Sequence, residues 1–331
     1  MPRSPQSPAD QYRVSPTAPT GEVLCVGEVL WDSLPEGLFL GGAPFNVACH
    51  LRATGMPVAM VSRVGADRLG DEVLRRAARY GVDVGLIQVD PTRPTGFVRV
   101  HVDEHGNGAY EICEPVAWDA LEATEPLLAR AARARAIVFG SLAQRSQVTR
   151  TTIERLWKVG AHQALMVFDV NLRPPYEDLE VIRASLAVAD VVKLSDAELV
   201  KLTEWLGWGD RDEHEMMQGL ATNFGCSVVC VTRGSRGAAL LHDGELTEHP
   251  GFPAEVRDTV GAGDAFLAVL LAGLLAGTPD AELLQHANLM GAYVVTQFGA
   301  VPADQGAAMA PPPVPARPPR ARSRQVKRRG Q

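Results

Sequence analysis

The sequence contains no Gly-Lys pair, and this absence excludes a P-loop, in which a lysine after glycine reaches the phosphates of a nucleotide. The lysines stand elsewhere, at Lys158, Lys193, Lys201 and Lys327. A dinucleotide fingerprint is also missing, because Gly261-Ala262-Gly263-Asp264-Ala265-Phe266 ends in phenylalanine where that motif needs a small residue. Any phosphorylated ligand must therefore be held by another kind of site.

Cysteine is scarce, and the five that occur show no paired spacing and stand mostly in apolar segments. This pattern indicates reduced thiols in a cytoplasmic protein rather than a disulfide scaffold. Zinc motifs are absent too, since His214-Glu215-Met216-Met217-Gln218 lacks the second histidine of a zinc protease helix. The cysteines are Cys25, Cys49, Cys113, Cys226 and Cys230.

Long apolar segments are missing as well. The longest run, Ala265 to Gly277, is well short of the roughly 20 residues that span a bilayer, so it predicts a buried core helix and no membrane partner. The segment from Met1 to Thr20 is rich in Pro, Ser and Thr and has no apolar core of signal-peptide type. We expect residues 1–20 to form a disordered arm and not to export the protein.

Acidic residues are absent from the Pro/Arg-rich end of the chain. From Pro311 onward it carries seven basic residues, so the formal charge of −7 conceals about −14 on the rest. A basic tail can touch RNA, but such tails are usually solvated, and we do not expect a nucleic-acid partner. Residues 303–331 are predicted to be a disordered tail, which leaves 21–302 as the folded domain.

The most informative segment present is Asp258-Thr259-Val260-Gly261-Ala262-Gly263-Asp264, followed by the apolar run. Two glycines allow a turn tight enough for successive N–H groups to point into one concavity, where a helix then begins. Such a helix start binds anions, and Asp264 adds a carboxylate there. One interpretation is a general base beside a transferring phosphoryl group; the other is an aspartate that caps a buried helix.

A second segment, taken together with the first, points to a specific protein family. Asp258 to Asp264 resembles the C-terminal signature of the ribokinase/PfkB family of sugar and nucleoside kinases, and Gly41-Gly42-Ala43-Pro44-Phe45-Asn46-Val47-Ala48 resembles its N-terminal signature. The resemblance covers residues 21 to 302. It implies an ATP-dependent kinase with Asp264 as general base and the N–H groups of Gly261, Ala262 and Gly263 as anion hole.

The distribution of apolar runs agrees with that family's fold. Helical runs alternate with short apolar strands, which predicts an α/β protein with a doubly wound, mostly parallel sheet flanked by helices. The first strand is predicted over Glu22 to Leu30, and a hairpin over Phe97 to Cys113. The resemblance implies that the segments at about 32–42 and 95–118 form a small β-sheet lid that covers the sugar. In the family such a lid can also pair two subunits into a homodimer.

The resemblance also assigns residues to the substrates. On the sugar side, Asp32 follows the first strand, Gly42 and Asn46 belong to the N-terminal signature, and Arg173 lies in Asp169-Val170-Asn171-Leu172-Arg173, similar to the family's D-x-N-x-R. On the nucleotide side it implies Ser195, Thr232, Gly234, Gly237 and Asn288. Glu198 would hold Mg²⁺ through water, although Ser195 replaces the usual asparagine of that motif. A monovalent cation such as K⁺ would lie near Asp258, Val260 and Gly299.

Among sugars, Gly27-Glu28-Val29-Leu30-Trp31-Asp32 followed by Gly41-Gly42-Ala43-Pro44 looks more like bacterial fructokinases than ribokinases. Fructose is therefore the expected substrate. Ribose, a 2-keto-3-deoxy sugar acid or a nucleoside stays open, because one scaffold serves them all. A non-catalytic sugar-binding regulator is a further alternative, but such a protein should have lost the aspartate or a glycine that Gly261, Gly263 and Asp264 retain.

Overall fold

The structure is a computed structural model that describes residues 21–34, 37–102 and 108–302. The predicted arm at 1–20, the tail at 303–331 and the hairpin turn at 103–107 lie outside the described residues. Within the described ranges, no helix combines the length and apolarity that crossing a membrane requires.

The strands are short, and most of them are buried. In chain order they are β1 (Val23–Val26), β2 (Leu30–Leu34), β3 (Gly37–Gly41), β4 (Val58–Gly65), β5 (Ile87–Asp90), β6 (Gly96–Val102), β7 (Gly108–Ile112), β8 (Ala136–Gly140), β9 (Leu165–Asp169), β10 (Val191–Ser195), β11 (Val228–Thr232), β12 (Ala238–His242) and β13 (Glu245–His249).

The helices alternate with the strands. They are α1 (Ala43–Ala53), α2 (Arg68–Arg79), α3 (Glu125–Ala131), α4 (Gln147–Gly160), α5 (Leu179–Leu186), α6 (Asp196–Trp205), α7 (Glu213–Phe224), α8 (Ala262–Ala276) and α9 (Asp280–Val294).

The large sheet has the order β13-β12-β11-β10-β9-β8-β1-β4-β5. Every pairing from β11 to β5 is parallel, and only β12 and β13 run antiparallel to their neighbours. Helices cover both faces, and alternate residues of a strand such as β1 enter the two hydrophobic cores. The predicted doubly wound, mostly parallel sheet is confirmed.

The first predicted strand was too long. Glu22 to Leu30 was expected to form one strand, but β1 ends at Val26 and Leu30 already belongs to β2 in a second sheet. The break falls at Gly27, whose φ of +147° and close approach to Pro44 leave little room for a side chain: an added Cβ would lie 2.8 Å from Pro44 Cγ. Asp32 consequently lies within β2 rather than beyond β1.

The second sheet is small and has the order β3-β2-β6-β7. Its hairpin β6–β7 is the one predicted over Phe97 to Cys113. Trp31 fastens β2 to the main body, because its buried indole donates a hydrogen bond to the Leu69 carbonyl and lies under the Arg76 guanidinium, 4.8 Å from the ring centroid. The sheet is therefore tied to α2 on one side.

Helix α8 is the buried helix that the apolar run predicted. Ala265 to Ala272 are all buried, and the helix packs between α1 and α9. A helix that is apolar all round cannot face water, so its first turn is held by tertiary packing as well as by its own hydrogen bonds. This fixes the orientation of whatever its N-terminus presents.

Candidate active site

The N-terminus of α8 forms a tight turn around Gly261, which has φ +79° and precedes the helix. A Cβ on Gly261 would lie 2.4 Å from Ala300 Cβ, so neither the backbone conformation nor the packing admits a side chain. Ala262 and Gly263 follow as the first helical residues. The Ala262 N–H makes only a long hydrogen bond of 3.4 Å to the Thr259 carbonyl, and the helix itself offers no acceptor to its first N–H groups. Their donors and the helix dipole make this end suited to an anion.

Asp264 stands at the third position of α8, partly exposed, and meets a residue from the other signature. Asn46, one turn into α1, donates a hydrogen bond from Nδ2 to Asp264 Oδ2 at 2.8 Å. The Asn46 side chain is 4% exposed, and among the described residues its Oδ1 has no partner. The two signatures therefore meet at one carboxylate, beside a buried acceptor that a ligand hydroxyl can fill.

Asp32, Gly42 and Arg173 lie near Glu28 or act on the same charges: Arg173 acts electrostatically on both Asp32 and Glu28, and Gly42 packs against Glu28. Gly42 precedes α1 with φ +108°, and a Cβ there would lie 2.5 Å from the Glu28 carbonyl oxygen, so the glycine is required sterically. Burial, reinforced by the charge of Asp258 and opposed by that of Arg173, raises the pKa of Asp32 to about 6. Arg173 donates a hydrogen bond to the Leu172 carbonyl at 2.9 Å. Its positive charge opposes the rise in the pKa of both Asp32 and Glu28.

Glu28 is a site residue that the sequence did not reveal. It follows β1, is 3% exposed, and its carboxylate accepts hydrogen bonds from its own N–H and from that of Ala43 at the start of α1. Its Oε2 has no partner in the described part of the chain. Burial, together with the charge of Asp264 and against that of Arg173, raises its pKa to about 7.

Glu198 organises a neighbouring loop. Its Oε1 accepts from Leu172 N at 2.7 Å, and its Oε2 accepts from Ser195 N at 2.7 Å and Ser195 Oγ at 2.9 Å. Ser195 also caps α6 by accepting from Glu198 N. A carboxylate offers about four acceptor positions, so these three bonds leave room for one metal-bound water. Direct metal ligation would instead displace a backbone partner.

The predicted nucleotide residues lie at the carboxyl end of β11 and on α9. Thr232 ends β11, and Gly234 and Gly237 form the connection to β12 with positive φ. A Cβ on Gly237 would lie 1.9 Å from the His249 carbonyl, so this turn needs glycine. Asn288 is buried on α9 and donates to the Leu284 carbonyl at 2.7 Å, which turns its amide back onto its own helix.

The residues predicted near a monovalent cation are brought together by Asp258. Its carboxylate accepts from Val260 N and from Gly299 N, both at 3.0 Å. His50 of α1 holds the adjacent segment through a hydrogen bond of 2.8 Å to the Ala300 carbonyl. Among the described residues, no cluster of three or more His, Cys, Asp or Glu side chains has the arrangement of a metal site. A role for potassium stays a prediction.

Comparison with known proteins supplies the family. The model of the pfkB family of carbohydrate kinases matches residues 37–305. The chain belongs to the pfkB family of carbohydrate kinases. It is similar to a fructokinase of Klebsiella pneumoniae, with 31% identity over 303 residues that cover 86% of this chain and 96% of the relative.

Solved structures agree. A fructokinase from Xylella fastidiosa with bound ATP has a TM-score of 0.75 at 25% identity, covering 85% of this chain and 94% of that one. A fructokinase from Vibrio cholerae O395 bound to fructose, ADP and calcium has a TM-score of 0.75 at 27% identity, covering 88% and 98%. This pfkB-family protein is a sugar kinase, a phosphotransferase with an alcohol group as acceptor.

Proposed function

We propose that this sugar kinase phosphorylates fructose, with Asp264 as general base. The observation that supports the proposal is the 2.8 Å hydrogen bond between Asn46 and Asp264, which joins the two signature segments at the first turn of α8. Relatives named fructokinase, and the similar Vibrio cholerae structure that holds fructose, support the choice of sugar.

In the proposed reaction a hydroxyl of the sugar gives its proton to the Asp264 carboxylate as its oxygen attacks the γ-phosphorus of ATP. The bond to the oxygen bridging the β- and γ-phosphates breaks, and ADP leaves with the electron pair. N–H groups of Gly261, Ala262 and Gly263 stabilise the charge on the transferring group, because they are oriented before the reaction begins.

Magnesium would neutralise charge on the ATP oxygens, and Glu198 would hold it through one bound water, the role that its remaining acceptor position permits. The Ser195 substitution does not remove this capacity, since the serine hydroxyl and N–H orient the Glu198 carboxylate. The small sheet is proposed as a lid, and pairing of two lids into a homodimer stays a prediction.

The charge of the crevice favours a neutral sugar over a sugar acid. Glu28, Asp32 and Asp264 act on this region against Arg173, and the raised pKa values of Glu28 and Asp32 reflect burial of like charges. A carboxylate substrate would add another negative charge. The keto-deoxy sugar acid is therefore a weaker candidate than fructose, and ribose or a nucleoside remains the alternative.

The experiment is an ADP-release assay with fructose, ribose, 2-keto-3-deoxygluconate and adenosine, each with and without magnesium. We expect fructose to give the highest kcat/KM. Asp264→Asn should lose about 10²–10⁴-fold in kcat, with little change in sugar affinity, because the amide keeps the shape but cannot take the proton. Near wild-type turnover in Asp264→Asn would contradict the mechanism.

A further inference from the structure

A lysine lies beneath the anion hole, outside the residues to which the motifs assign a role. Lys193 sits on β10 opposite Asp169 on β9 and is 6% exposed. Its Nζ donates to Asp169 Oδ1 at 3.0 Å and Oδ2 at 3.2 Å. Buried lysines are costly unless paired, so this ammonium is held at a fixed point inside the protein.

That point adjoins the first turn of α8. A Cβ built on Gly263 would lie 3.0 Å from Lys193 Nζ and 3.8 Å from Cε. Gly263 is the second helical residue and, unlike Gly261, is not among the glycines with positive φ. Its backbone would therefore accept alanine, but a Cβ only 3.0 Å from the ammonium nitrogen is closer than ordinary van der Waals contact, so an alanine there would crowd the lysine.

The ammonium also acts on the charges around it. Burial would lower the pKa of Lys193, but the carboxylates of Asp169, Asp264 and Glu198 outweigh burial and raise it, so the lysine stays protonated. The ammonium group has three N–H donors, and both carboxylate oxygens of Asp169 accept hydrogen bonds from it. The result is a permanent positive charge at the foot of the helix turn that carries Asp264.

We propose that Lys193 is a positioning residue for phosphoryl transfer. Anchored by Asp169, its ammonium lies against Gly263, supports the first turn of α8 and presents the positive end of the Lys193–Asp169 ion pair to the anion hole. Position 263 is glycine because the lysine needs that space. The inference rests on the proposed role of this helix turn in the kinase reaction.

The first test uses variants that separate charge from packing. Lys193→Met keeps the apolar stem and removes the charge; Lys193→Met with Asp169→Asn removes both charges, so no unpaired carboxylate stays buried. For both we expect kcat to fall about 10²-fold while the KM for the sugar changes less than about 3-fold, as when one preorganised donor is lost. A double variant that folds, as shown by its cooperative unfolding, and keeps wild-type kcat would overturn the proposal.

The second test is a double-mutant cycle between Gly263→Ala and Lys193→Ala. If the glycine serves the lysine, Gly263→Ala should lower kcat by about 10-fold or more in the wild type but less than about 2-fold in Lys193→Ala. An equal penalty in both backgrounds would show that Gly263 is needed for the ligand itself, which contradicts the inference. Wild-type activity on fructose, ribose, 2-keto-3-deoxygluconate and adenosine is measured first. A wrong choice of substrate is then distinguished from a failure of the proposed role of Lys193.

Discussion

Glu28→Gln should make the protein more stable as the pH rises, relative to the wild type. In the folded state burial and the neighbouring Asp264 raise the pKa of Glu28 to about 7, although Arg173 and the Ala43 N–H oppose them. Since this pKa lies above that of an exposed glutamate, ionisation of Glu28 opposes folding. The penalty is absent below pH about 4.5, grows as the pH rises, and is complete above pH about 7.

The magnitude follows from that difference in pKa. Each unit of pKa difference between the folded and unfolded states is worth about 1.4 kcal/mol, so the ionised Glu28 carboxylate costs roughly 3 kcal/mol of folding free energy above pH 7. Glutamine cannot ionise, so the variant escapes this cost. Its Nε2 would stand where Glu28 Oε2 has no partner, and an unpaired amide costs about 1–3 kcal/mol at every pH. The difference between two pH values therefore carries the prediction.

The assay is urea unfolding of both proteins at pH 5 and at pH 8.5, without ligands. We expect the stability of Glu28→Gln minus that of the wild type to increase by roughly 2–3 kcal/mol between the two pH values. Glu204→Gln, at an exposed glutamate on α6, is the matched control and should show no such change. If the stability difference between Glu28→Gln and the wild type is the same at both pH values within about 0.5 kcal/mol, the reasoning is refuted.

Two further predictions concern Asp32 and Gly261. Because the pKa of Asp32 is raised to about 6, sugar affinity of the wild type should fall as the pH drops below 6 and the acceptor is protonated. Calorimetric titration should show this loss, and Asp32→Asn should bind weakly at every pH. Gly261→Ala should lower stability by at least about 2 kcal/mol more than Gly277→Ala, since both glycines have positive φ but only the former Cβ would meet Ala300. Equal losses on urea unfolding would contradict the steric argument.

Most of the large sheet was predictable because its central strands are short apolar runs between helical segments, a local pattern that needs no tertiary information; the polar edge strand β13 lacks this pattern. Val228–Thr232 and Ala136–Gly140 have the predicted bounds. The division of Glu22 to Leu30 was not predictable in the same way. Both halves are apolar, and only the approach of Pro44 at Gly27 shows where one sheet ends and the other begins.

Parts of the candidate site were predictable where a motif fixes a backbone shape. Gly42 and Gly261 could be found because each occupies a conformation or a space that excludes side chains. The hydrogen bond between Asn46 and Asp264 spans 218 residues, and only the resemblance to a family joined them. Lys193 gave a weak signal, a lysine inside an apolar strand, but its partner and its position under α8 depend on tertiary packing.

Glu28 was missed for a related reason. The sequence placed it in the middle of the predicted first strand, where its charge had no interpretation beyond membership of that strand. The structure places it after β1 with its carboxylate against the start of α1, where the Ala43 N–H is one of its donors and Asp264 one of its charged neighbours. A charged residue inside an apolar run that ends at a sheet edge is therefore a better indicator of a site than the run itself.

The distribution of charge fits the proposed function, in which one site receives both a neutral sugar and the phosphates of ATP. On the proposed sugar side, Glu28 is a buried carboxylate and Asp32 a half-buried one, both with raised pKa values, and such groups are stabilised by hydroxyl donors. On the other side, Lys193 and the N–H groups at the start of α8 supply positive charge. Asp264 lies at the boundary between the two, the position at which a sugar hydroxyl would have to lose its proton to become the acceptor of a phosphoryl group.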